Sequence, residues 1–116
     1  MPAEHARRRA RLRDPGALLT RQMAALAGDH ARVTLKRERP WASITFSGTR
    51  HYFAVEGDGA AEPAEMQRLA ATLPDHEFSI PGHFVADILV TDHSDKRLLV
   101  EALSIIDPVE PPRDGR

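Results

Sequence analysis

Two histidines, His83 and His93, frame the run IPGHFVADILVTDH, and one carboxylate, Asp87, stands between them. Imidazole nitrogens and carboxylate oxygens are common zinc ligands and common proton carriers in catalysis. A metal ion needs such ligands at about 2.0–2.2 Å. On one extended strand, ten residues span roughly 33 Å and four residues roughly 13 Å. His83, Asp87 and His93 therefore cannot meet at one ion within a single chain. Neither H-x-H nor H-E-x-x-H spacing occurs. The chain has no cysteine, which rules out disulfides, thiolate catalysis and sulfur-ligated zinc. Neither a metal nor a cofactor is expected.

Other chemistries find little footing. Asp87 and Glu101 fall on neighbouring strand-like runs, where two close carboxylates can divide the roles of acid and base. Acids are also the ordinary furniture of a wet sheet face, and no cleft is evident around these two. The serines at 43, 47, 79, 94 and 104 lie outside any G-x-S-x-G elbow or S-x-x-K set. The GDG at 57–59 is too short for a phosphate loop and reads as a turn. The balance leans away from catalysis, and an enzyme of unrecognised type is the third reading.

A different constellation is better populated. Arg32, Lys36, Arg37, Arg39 and Arg50 cluster in sequence around Trp41 and Tyr52. Cations that steer phosphates beside aromatics that stack bases make up a single-stranded nucleic-acid platform. Against this, no RNP-like Gly-aromatic signature appears, and the pI near 6.6 is not basic. Nucleic-acid binding is therefore the second reading.

These residues must be positioned by a small chain. At 116 residues, with 41% hydrophobic and 28% charged side chains, the sequence suits one soluble globular domain. No apolar run approaches the roughly 20 residues needed to span a bilayer, and no apolar stretch follows the basic N-terminus as in a secretory signal. With the lack of cysteine, this fits a cytoplasmic protein that does not engage a membrane. Charge is uneven: residues 1–56 carry +6 and residues 57–116 carry −7. Internal neutralisation explains this most simply; an anionic partner for the basic half, or two molecules meeting head to tail, explains it as well.

The expected fold is α+β, a two-layer arrangement in which a mainly antiparallel sheet is covered on one face by two helices. Residues 1–15 read as a flexible Arg-rich arm, set off by the break at Asp14-Pro15-Gly16, and 108–116 as a disordered Pro-rich tail. A single domain fills 16–107. Leu18, Leu19, Met23, Leu26 and Ala27 trace an apolar stripe for a helix over about 16–28, closed by Gly28. Met66, Leu69, Ala70 and Leu73 trace a second over about 63–73, opened by Pro63.

Two β-hairpins are expected, near 41–56 and 83–106. In the first, Gly48-Thr49 serves as the turn, so that Ala42, Ile44, Phe46, Phe53 and Val55 share the core face. Pro40 interrupts or bulges the ladder before it. In the second, Phe84, Ile88, Val90, Leu98 and Val100 face the helices. An odd-length loop around HSDK keeps Glu101 away from them, because burying an unpaired carboxylate is costly.

This second hairpin leaves Val85, Leu89, Leu99, Leu103 and Ile105 on the opposite face, apolar where water is expected. Sheets apolar on both sides are usually covered on both, and only two helices are available. A protein partner, most simply a second copy of the chain, is the natural cover. A non-catalytic interaction module, self-associating or protein-binding through the outer sheet face, is therefore the first reading.

Overall fold

The computed structural model describes residues 14–108. The expected arm and tail fall outside the described residues, except for Asp14, Pro15 and Pro108 at their inner ends. Asp14 and Pro15 open the first helix instead of breaking the chain before it. Helix α1 (Pro15–Ala27) is capped by the Asp14 carboxylate, which accepts from the backbone N–H of Gly16 at 3.0 Å and of Ala17 at 3.3 Å. Pro15 at the first position needs no hydrogen-bond partner for its nitrogen. Gly28 ends the helix at φ 83, in the left-handed region open to glycine.

The remaining elements are β1 (Ala31–Ala42), β2 (Ser47–Gly57), α2 (Pro63–Thr72) with a following 3-10 turn (Leu73–Asp75), β3 (His83–His93) and β4 (Arg97–Ile106). They form one four-stranded sheet in the order β1-β2-β4-β3, antiparallel throughout. The two-layer α+β architecture is as the sequence implies. Both helices lie on one face, which we call the inner face. Leu19 and Met23 from α1, with Met66, Leu69 and Leu73 from α2 and its extension, pack on Phe53, Val55, Ile88, Leu98, Val100 and Ala102 from the sheet.

The first hairpin turns elsewhere than expected. Its loop is 43–46, closed by the Ser43 N–H donating to the Phe46 carbonyl at 2.8 Å and the Phe46 N–H donating to Ser43 Oγ at 3.0 Å. Trp41 therefore pairs with Gly48 and Leu35 with Phe53. Ile44 sits fully exposed at the loop and Phe46 passes to the outer face, while Phe53 and Val55 remain in the core. Pro40 does not interrupt β1, because an edge strand has room for a residue without an N–H. The irregularity lies instead between Leu35 and Arg37.

Gly48 is not a turn residue. A Cβ at that position would lie 2.0 Å from the Ser104 carbonyl oxygen, so glycine is required by the close approach of β2 to β4.

The second hairpin contains two bulges, between Val85 and Asp87 and between Val90 and Asp92. The bulge near Thr91 supplies the odd residue that brings Val90 opposite Val100 and Ile88 opposite Ala102, with Glu101 on the outer face. The bulge near Ala86 was not anticipated, and it inverts the start of β3. Val85 consequently packs toward the core, and Phe84 lies outside, 41% exposed.

Candidate functional site

Register places the outer face in rows that run across all four strands. One row is Trp41, Gly48, Ile105 and Phe84; the next is Arg39, Arg50, Leu103 and Asp87. Below them come Arg37, Tyr52, Glu101 and Leu89, then Thr34, Ala54, Leu99 and Asp92. Arg37, Arg39, Trp41, Arg50 and Tyr52 thus share one surface with Leu89, Leu99, Leu103 and Ile105. Arg32 continues that surface opposite Glu56, and Lys36 occupies the β1 bulge. Val85 is the one expected interface residue on the other face.

Leu103 and Ile105 are not wet in the single chain: they are 5% and 3% exposed. Arg50 reaches from β2 to Glu101 on β4, at 3.6 Å, and to Asp87 on β3, at 3.8 Å. Arg50 and Leu103 are cross-strand neighbours, and the aliphatic stem of an arginine at such a position shields apolar surface from water. Phe46 and Phe84 meet edge to face with centroids 6.1 Å apart, bridging across β4 at Ile105. Asp87 and Glu101 therefore share a guanidinium, which is a different arrangement from an acid–base pair. The Arg37 guanidinium stacks 4.3 Å from the Tyr52 ring centroid. Phe46, Phe84 and Leu89 remain between 36% and 48% exposed.

The inner face holds a constellation that sequence reasoning missed. His51 is fully buried, with Nδ1 2.7 Å from Glu38 Oε2 and Nε2 2.8 Å from Ser104 Oγ. Glu38 is the β1 partner of His51, and Ser104 lies diagonally across on β4. Glu38 accepting from Nδ1–H fixes the tautomer in which Nε2 accepts from the Ser104 hydroxyl. The N-terminal turn of α1 closes over this carboxylate: a Cβ on Gly16 would lie 2.3 Å from Glu38 Oε2. Burial holds the imidazole below its ordinary pKa, Glu38 and Asp14 pull it upward, and His83 adds to the lowering.

Serine, histidine and glutamate in this order have the connectivity of a hydrolytic triad. The nucleophile must also touch a substrate, and Ser104 has no exposed surface. The cluster instead fastens β1, β2 and β4 together beside the N-terminal turn of α1, and among the described residues no buried side-chain polar atom is left without a partner. The histidine itself was visible in the sequence. What hid the cluster was the register, since the expected turn placed His51 opposite Phe46 and not opposite Glu38.

His83 and His93 occupy opposite ends of β3, and His83 Nδ1–H donates to the Pro81 carbonyl at 3.0 Å. Among the described residues, no three His, Asp or Glu side chains are grouped to hold a metal ion. A groove of about 510 Å³ runs between the 76–80 link and the start of β3, and one of about 190 Å³ lies between α1 and α2. Neither includes the His51 cluster. Among the described residues, no helix is long and apolar enough to cross a membrane. Compared with protein-family models, curated proteins and solved structures, the chain matches none.

Proposed function

We propose that this chain is a non-catalytic interaction module whose working surface is the outer face of its sheet. One observation carries the reading. Both helices cover the inner face, so Phe46, Phe84 and Leu89 stand partly exposed together on the other side. Large apolar side chains that share an uncovered face mark association surfaces more than isolated ones do. A cysteine-free chain of this kind suits a reducing compartment such as the cytoplasm.

Sedimentation equilibrium over a wide concentration range tests the proposal. The wild type is expected to self-associate, and a Phe84→Ser/Leu89→Ser variant to be monomeric with an unchanged circular dichroism spectrum. A wild type that stays monomeric up to millimolar concentration would sink it.

A single-stranded nucleic-acid platform is the second reading. It is favoured by Arg37, Arg39, Trp41, Arg50 and Tyr52 sharing the outer face. It is weakened by their in-chain commitments, since Arg50 is spent on Asp87 and Glu101 and one face of Tyr52 is occupied by Arg37. The acids of β3 and β4 would also repel phosphate. Trp41 is the only tryptophan in the chain. Salt-sensitive quenching of its fluorescence by oligothymidylate would favour this reading over the first.

A further inference from the structure

The charges of the outer face are sorted by strand. Edge strand β1 presents Arg37 and Arg39, neither with an ion-pair partner among the described residues. The opposite edge strand, β3, presents Asp92, and Asp87, whose other oxygen lies free of the 3.8 Å pairing of Oδ1 with Arg50. Between them the surface is apolar or internally neutralised. We infer that the outer face is covered by a second copy of this chain, laid face to face about a two-fold axis parallel to the strands, so that β1 of each copy lies over β3 of the other. The inference rests on the outer face being the working surface, and it names the occupant and its orientation.

The rows decide the orientation. A two-fold axis along the strands turns each row back upon itself in reverse order. Trp41 then meets the second copy's Phe84, and Arg39 meets its Asp87. Gly48 opposes Ile105 and Ala54 opposes Leu99, small against large, as interdigitating faces require. A two-fold axis across the strands would instead put β1 over β1, with Arg37 and Arg39 facing their own kind.

Edge-to-edge pairing is blocked at both sides of the sheet. Strand β1 carries Pro40 and a bulge at Lys36, and β3 carries two bulges. Such features keep sheet edges from templating further strands.

The contact is modest in size. Four strands spaced about 4.8 Å apart and about ten residues long offer roughly 600 Å² per copy. A standard stable interface buries about 800 Å² per partner. The pair is therefore expected to dissociate on dilution, and its sheets to cross at about 30°, the usual angle for aligned packing of twisted sheets.

Charge reversal in two variants tests the pairing. One is Arg37→Asp/Arg39→Asp and the other Asp87→Lys/Asp92→Lys; all four positions are exposed. Each variant is first checked against the wild type by circular dichroism. In sedimentation velocity, each alone should dimerise at least tenfold more weakly than the wild type, because like charges then oppose each other at both β1–β3 contacts. Mixed, the two should pair about as tightly as the wild type, since both β1–β3 contacts again join strands of opposite charge. If either variant alone pairs as the wild type does, or if the mixture stays monomeric, the two-fold arrangement is overturned. An associating wild type with a monomeric mixture removes only this arrangement, whereas a wild type that never associates removes the underlying reading as well.

Discussion

The Nε2 of His51 lies 2.8 Å from the Oγ of Ser104, and neither side chain reaches solvent. Replacing Ser104 by alanine leaves a buried ring nitrogen without its donor. An unpaired buried polar group costs about 1–3 kcal/mol. Ser104→Ala should therefore melt several degrees below the wild type while keeping the same secondary structure. Differential scanning calorimetry measures the loss, and an unchanged melting temperature would mean that the hydroxyl contributes nothing to the cluster.

The same histidine gives stability a pH dependence. Its pKa in the fold is lowered from 6.5, chiefly by burial. On acidification the unfolded chain takes up this proton before the folded chain does. The contribution is complete above about pH 6.5 and declines as pH falls below that value toward the folded pKa. Glu38, Asp14 and His83 act on the same ring, so the comparison must be made within one background. Between about pH 7.5 and pH 5.5 the wild type should lose more stability than His51→Gln, measured by urea denaturation at each pH. Parallel pH profiles would refute the assignment.

Two glycines touch this cluster with unequal constraints. At Gly48 an added Cβ meets the backbone of Ser104 and Ile105, which cannot move without opening the β2–β4 pairing. At Gly16 it meets the end of the Glu38 side chain at 2.3 Å and Leu35 Cδ2 at 2.9 Å, and both can rotate away. Gly48→Ala should be the more destabilising, with loss of several kcal/mol or failure to fold, as expected for overpacking against a fixed neighbour. Gly16→Ala should fold but release Glu38 from His51, moving the imidazole ring signals in NMR. Equal tolerance of the two substitutions would contradict the packing.

The legibility of this fold in its sequence follows the range of the interactions. The stripes of Leu19 and Met23, and of Met66, Leu69 and Leu73, repeat at helical spacing and mark both helices. Alternation along β4 likewise marks Leu98, Val100 and Ala102 as core. The first hairpin misleads because Ile44 and Phe46 look like strand residues, and Gly48 has the credentials of a turn. Its real role, admitting the Ser104 carbonyl, depends on a strand more than fifty positions away. The bulges at Lys36, Ala86 and Thr91 leave no compositional trace, yet one of them exchanges Phe84 with Val85. The His51 cluster draws on three strands, so a single shift in register was enough to conceal it.

The strand order has a consequence for the unfinished chain. Strands β2 and β4 belong to different hairpins, and their seam joins residues such as Arg50 and Leu103 with no register shift along its length. Each hairpin can form from local contacts, but the seam must wait for chain segments distant in sequence to find each other. Until then β2 and β4 are themselves open edges, regular and apolar, while the bulges and Pro40 that discourage misassembly sit only on β1 and β3. The bulges and Pro40 therefore shield the finished molecule and leave the intermediate bare. Exchange of whole hairpins between chains, or aggregation during slow refolding, is the failure this topology invites.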